Sequence, residues 1–159
     1  MQIKVAKPFL KEINYPIFYV AYGSNLNKHQ MQKRCPYANP ITKSYIEGYG
    51  LLFRSVATIV KEKESIMPCG IWKISRDCEK ALDKYEGYPS MYGKEYWEGS
   101  FEGKTYPFLV YIMNKQVRSI APPHPVYLEK IKNGYRDFDI PLRYLENHEQ
   151  LEVFFKDMS

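Results

Sequence analysis

Long apolar runs are missing from this sequence. No stretch approaches the roughly 18 residues that a membrane-spanning helix needs, and the first residues, MQIKVAKPFLKEINYP, hold no signal-type apolar core. The expectation is a cytoplasmic protein with no membrane partner. Cysteine is sparse: Cys35, Cys69 and Cys78, an odd number with no C-x-x-C pair, which argues against both a disulfide framework and a zinc site. The three histidines, His29, His124 and His148, stand far apart without H-x-x-x-H or H-E-x-x-H spacing, so they read as surface or packing residues. No metal and no cofactor is expected. Charge of one sign is also scarce. The formal net charge is +5, with Lys61 and Lys63 alternating with Glu62 and Glu64. No basic stripe interleaves with aromatic residues, and nucleic acid is therefore not an expected partner.

What the chain has in excess is tyrosine, fifteen residues in 159. A tyrosine buries a ring and keeps one polar hydroxyl, a combination suited equally to wet cavities and to the outer faces of strands. The length predicts one domain with a substantial core. Residues 1–16 show no clear period and read as an N-terminal extension to a single domain over 17–159. Ile17–Tyr22 (IFYVAY) reads as a buried strand, followed by a helical stretch (LNKHQMQKRC) that ends at Pro36. Two or three strands broken at Gly48 and Gly50 are predicted over 41–60, and another over 67–74. Ser75–Tyr85 is predicted as a helix, with Ser75 as N-cap and Gly87 as C-terminal cap. Strands are predicted over 92–101 and 105–113, joined as a hairpin near Gly103, and helices are expected over 126–133 and 142–158. Strands come first and helices are interspersed without regular alternation, which predicts an α+β fold rather than a doubly wound sheet.

Two features carry chemistry. Tyr22-Gly23-Ser24-Asn25-Leu26 lies between a strand and a helix. Glycine allows close approach of a ligand to the backbone, and N–H groups at a helix start suit a carboxylate. The same residues would also serve as a plain strand-to-helix turn. The second feature is Glu86. On a wheel set from Cys78, the positions Ala81, Leu82 and Tyr85 continue an apolar stripe that Glu86 extends, while Asp77, Glu79, Lys80, Asp83 and Lys84 fall elsewhere. An inward carboxylate is desolvated, its pKa rises, and it can take and return protons near neutral pH. The wheel leaves open the alternative of a solvated side chain at a frayed helix end.

With YGSNL at 22–26 and Leu82-Asp83-Lys84-Tyr85-Glu86-Gly87 some sixty residues later, the sequence resembles the γ-glutamylcyclotransferase family, including its AIG2-like and γ-glutamylamine-acting members. Arg34-Cys35-Pro36, Gly70-Ile71-Trp72, Met91-Tyr92, Ala121-Pro122-Pro123-His124-Pro125-Val126-Tyr127 and Pro141-Leu142-Arg143-Tyr144-Leu145 extend the similarity in order over roughly residues 17–146. The resemblance implies a compact α+β fold around a mixed, barrel-like sheet, and a reaction on a small-molecule γ-glutamyl substrate. Glu86 would deprotonate the substrate's α-amino group, which closes 5-oxoproline on the γ-carbonyl, and would then return the proton to the leaving nitrogen. Residues 22–26 would hold the glutamyl end, with Tyr92 and Tyr127 orienting the substrate. Two departures stand out: a short, proline-containing segment over 87–91, which leaves the leaving group open, and Phe138-Asp139-Ile140-Pro141, where the family often has a glycine. The rival expectation is a non-catalytic binding or regulatory module of the same fold. Either a monomer or a homodimer fits.

Overall fold

The computed structural model describes residues 1–115 and 117–155. Its framework is a six-stranded mixed sheet: β1 (Gln2–Pro8), β2 (Ile17–Ala21), β3 (Asn39–Arg54), β4 (Val56–Ile74), β5 (Tyr92–Phe101) and β6 (Lys104–Met113). The order across the sheet is β1-β5-β6-β2-β4-β3. Only β2 and β6 run parallel; every other neighbouring pair is antiparallel. The sheet curls into a half-barrel with helices around it, as expected. Strand β2 sits near its middle, and all five of its residues are buried, which is why IFYVA is apolar without alternation. Phe18 stacks on Phe108 of β6, with ring centroids 5.0 Å apart, and meets Tyr106 and Phe101 edge-on.

The segment read as an extension supplies β1, an edge strand on β5. Its half-buried Ile3 and Val5 alternate with exposed residues, but Ala6 takes φ 59° and the register shifts before Pro8. That irregularity hides the period. The glycines at 48 and 50 do not break strands. Gly48 (φ 79°) falls within a register shift of the continuous β3, a bulge that the sheet absorbs. A Cβ on Gly50 would collide with the Glu62 carboxylate. Strand β4 likewise continues from the hairpin turn at Ser55 (φ 68°) to Ile74. The β5–β6 hairpin turns at Glu102 and Gly103, both at positive φ, as type I′ geometry requires.

Helix α1 (Lys28–Arg34) starts later than predicted. Asn27, not Ser24 or Asn25, caps it by accepting from the Gln30 N–H, and Ser24–Leu26 form a separate 3-10 turn. Helix α2 (Arg76–Glu86) has the expected ends: Ser75 Oγ accepts from the Cys78 N–H, and Gly87 sits in the left-handed region at φ 64°. Helix α3 (Pro125–Asp137) runs further than predicted, through Gly134 in its last turns, where a Cβ would press on Leu26. Asp139 itself adopts φ 56°, the conformation usually left to glycine. The predicted helix over 142–158 is instead α4 (Arg143–Glu146), a 3-10 turn (Glu149–Leu151) and α5 (Glu152–Phe155); residues 156–158 of it lie outside the described residues. Side chains in the 3-10 turn and at its cap serve β3. Gln150 donates to the Phe53 carbonyl and accepts from its N–H, and His148 contacts the Leu51 carbonyl oxygen at 2.6 Å.

The cysteine reading is also corrected. Cys35, just after α1, and Cys78, in the first turn of α2, form a disulfide with Cα atoms 5.2 Å apart. They are 43 residues apart in sequence, so only packing of one helix end against another brings them together. Cys69 is buried and reduced. No helix among the described residues is long and apolar enough to cross a membrane.

Candidate active site

One end of the half-barrel opens into a cavity of about 230 Å³. The sheet brings Tyr19 (β2), Val56 and Ala57 (start of β4), Tyr92 (start of β5) and Tyr111 (β6) to its wall. The turn after β2 brings Tyr22, Gly23, Ser24 and Asn25; α2 ends there with Tyr85 and Glu86; and α3 contributes Tyr127. Seven of the eight sequence-selected residues thus line one cavity. Leu26 does not. Its side chain is fully buried, beneath Gly134 of α3 and Gly70 of β4, and it anchors the turn from below.

The turn is held on all sides. Asn25 donates from Nδ2 to the Tyr19 hydroxyl (3.0 Å), accepts from the Arg34 guanidinium at Oδ1, and accepts the Trp72 indole N–H at its carbonyl (3.0 Å). The N–H groups of Leu26 and Asn27 are spent on the carbonyls of Gly23 and Ser24. Ser24 and Asn25 open the 3-10 turn, so their N–H groups have no acceptor within it; of the four N–H groups over 23–26, that of Leu26 is already spent. Glycine at 23 is a matter of space: a Cβ there would stand 3.2 Å from both the Ala57 Cβ and the Tyr127 hydroxyl.

Tyr92 and Tyr127 grip the same residue. The Tyr92 hydroxyl donates to the Ala57 carbonyl (2.6 Å), and the Tyr127 hydroxyl accepts from the Ala57 N–H (3.1 Å). Tyr92 therefore meets a ligand only as an acceptor, whereas Tyr127 keeps its proton to donate. Burial, foremost, raises the pKa of both above the ordinary tyrosine value, so both stay neutral. Tyr22 donates to the Tyr111 carbonyl at 2.6 Å.

Glu86 is half-buried and faces the cavity. Desolvation raises its pKa to about 7, and the positive charge of Arg34 partly opposes the rise. Among the described residues no side chain pairs with its carboxylate; Arg34 is held off by its bond to Asn25 and by its stack on the Tyr85 ring, 3.3 Å from the centroid. The stripe argument placed Glu86 correctly but misplaced two of its neighbours. Tyr85 is 46% exposed, at the cavity's edge, while Glu79 is 3% exposed. Glu79 accepts from Tyr15 (2.7 Å), Tyr96 and Lys94 (2.8 Å), and Lys94 also bridges to Asp83 (2.8 Å), which accepts from Tyr111 (2.6 Å). The α2 face so occupied packs on β5 and β6, and a hydrophobicity wheel cannot see it.

Sequence reasoning gave no role to Tyr19, Arg34, Tyr85, Tyr111 or Arg118. The one available signal was the tyrosine excess, since six tyrosines line the cavity. Among the described residues no group of three or more His, Cys, Asp or Glu side chains is gathered to hold a metal.

The family profile for Gamma-glutamyl cyclotransferase, AIG2-like, matches residues 19–133, from β2 through most of α3. The chain belongs to this family. A solved structure described as a gamma-glutamyl cyclotransferase is similar over 89% of this chain and 99% of its own, with 24% identity and a TM-score of 0.72. An uncharacterized protein from Homo sapiens matches at 24% identity and TM-score 0.72, over 91% and 100%. YkqA from Bacillus subtilis matches at 20% and 0.69, over 91% of this chain and 55% of its own. At these identities the likeness establishes the fold. A comparison with curated protein sequences finds no significant match.

Proposed function

We propose that this protein is a cyclotransferase that releases 5-oxoproline from a γ-glutamyl amine or γ-glutamyl amino acid. The observation that carries the reading is Glu86: an unpaired carboxylate, pushed to about pH 7, facing the same cavity as the turn at Ser24 and Asn25. The substrate's α-carboxylate lies against the Ser24 and Asn25 N–H groups, with the Tyr127 hydroxyl as a further donor. Its α-ammonium then faces Glu86. The carboxylate accepts one ammonium proton, and the freed lone pair attacks the γ-carbonyl carbon. A carbon–nitrogen bond forms to close the five-membered ring, the bond to the leaving nitrogen breaks, and that nitrogen takes the proton back from Glu86. The second proton, left on the ring nitrogen, passes through the freed Glu86 carboxylate to the amine, which departs as its ammonium. Atoms balance without water: one γ-glutamyl compound gives 5-oxoproline and one free amine.

A carboxyl with a pKa near 7 suits both halves of this cycle. It is basic enough to draw a proton from an ammonium held against it and acidic enough to protonate a departing amine. The buried tyrosines around it supply neutral dipoles and no competing charge. The test is incubation with a panel of γ-glutamyl amines and amino acids, reading 5-oxoproline and the freed amine by mass spectrometry. Equimolar appearance of the two is expected, and their absence across the panel contradicts the reading.

A further inference from the structure

Only two charged side chains face the cavity among the described residues: Glu86 and Arg118. Arg34, the other nearby cation, is committed to Asn25 and Tyr85. In the reading above, the glutamyl end is already matched, its ammonium by Glu86 and its carboxylate by the turn. Arg118 is left over. It is exposed at the cavity's edge, on the segment between β6 and α3. That segment is tied to the β3–β4 hairpin at two points. Arg54 donates to the Arg118 carbonyl (2.8 Å), and Ser55 N–H donates to the Ala121 carbonyl (3.0 Å) while Ala121 N–H donates to Phe53 (3.2 Å). The backbone that carries the guanidinium is therefore anchored beside Val56 and Ala57. Among the described residues no acidic side chain pairs with Arg118.

We infer that Arg118 is a specificity residue that selects γ-glutamyl compounds whose leaving group carries a carboxylate, that is, γ-glutamyl amino acids in preference to γ-glutamyl amines. The inference rests on the cyclotransferase reading. A guanidinium presents a planar pair of N–H donors that a carboxylate fits two at a time. A leaving group with a cationic end would place like charge beside Arg118, and an uncharged one would leave the guanidinium unmatched, so charge both attracts one class and repels another.

The experiment compares γ-glutamyl-alanine with its C-terminal amide, which has the same shape without the charge, in the parent enzyme and in Arg118→Gln, Arg118→Glu and Arg118→Lys. The parent is expected to favour the free acid by about tenfold in kcat/KM, mostly through KM, as one charge-assisted contact implies. Arg118→Gln should bring that ratio towards one, Arg118→Glu should invert it, and Arg118→Lys should keep part of it. Added salt should shrink the parent's preference, because the contact is solvent-exposed. An unchanged ratio in Arg118→Gln, with both substrates slowed alike, would mean that Arg118 serves the glutamyl end, and that overturns the inference while leaving the cyclotransferase reading intact. A parent that does not discriminate overturns it in the same way. If the parent makes 5-oxoproline from neither substrate nor from the wider panel, the cyclotransferase reading fails and the inference falls with it.

Discussion

At the scale of single residues, the raised pKa of Glu86 has a consequence for stability as well as for the proposed chemistry. An ordinary glutamate titrates at 4.5; in the fold this one does so at about 7. The folded state therefore holds the proton over a pH range where the unfolded chain has released it. The stabilisation is complete below 4.5 and is lost as pH rises through 7. Glu86→Gln removes the ionisation, so its melting temperature should exceed the parent's at pH 8 by more than at pH 5. The free-energy difference is bounded at about 3 kcal/mol by the size of the shift and is reduced by solvent in the cavity. Thermal melts of the two proteins at both pH values check this. The parent's kcat/KM should rise with pH through about 7, since Glu86 must be ionised to accept the ammonium proton. A profile flat between pH 6 and 8 would show that Glu86 is not the group whose ionisation limits the reaction.

At the scale of elements, α3 supports the turn that would hold the substrate. A Cβ on Gly134 would lie 2.5 Å from the Leu26 Cβ and 2.7 Å from the backbone nitrogen of Asn27. Backbone cannot swing aside like a flexible side chain, so Gly134→Ala should lift the turn off α3 at a cost of roughly 1–3 kcal/mol. A fall in melting temperature together with a fall in kcat/KM is the expected result; normal stability and activity would show that α3 and the turn are only loosely joined. Tyr92→Phe and Tyr127→Phe each strip a partner from Ala57, whose N–H and C=O turn away from β3 towards the two hydroxyls. Each should cost about 1–3 kcal/mol, read by denaturant titration, if the Ala57 group is left dry.

The elements also show what could be read from the sequence. Both ends of α2 were legible because Ser75 and Gly87 act through their own local geometry. YGSNL and the helix-end Glu86 were each visible as a short motif, but each alone left a plain structural alternative open, and only the family resemblance joined them in one site. What stayed hidden was set by partners distant in the chain. Gly48 looks like a strand breaker until β4 shows that it is a bulge. Gln150 and His148 divide the C-terminal helix because β3 has an edge to satisfy. Glu79 looks solvent-bound until Lys94, Tyr15 and Tyr96 close around it. Arg118 has no motif at all; only the return of its segment to the β3–β4 turn brings it to the cavity.

At the scale of the whole molecule, the cavity is assembled from the turn after β2, the end of α2, the starts of β4 and β5, β6 and α3. Its precision therefore depends on the entire half-barrel. The Cys35–Cys78 bridge joins the element carrying Arg34 to the element carrying Glu86. Cross-links of this loop size stabilise by roughly 2–4 kcal/mol, mainly by restricting the unfolded chain. Replacing both cysteines by serine should lower the melting temperature accordingly; an unchanged melt would show that the bridge adds nothing to stability. The central claim is that one carboxylate both takes and returns the proton. It is tested most directly by 5-oxoproline formation in the parent and in Glu86→Gln on the best γ-glutamyl substrate, with melts as the folding control. Gln keeps the shape and cannot accept the proton, so kcat should fall by at least about 10²–10⁴-fold in a protein that melts no lower than the parent. Activity within a few-fold of the parent would contradict the account and make Glu86 a structural residue.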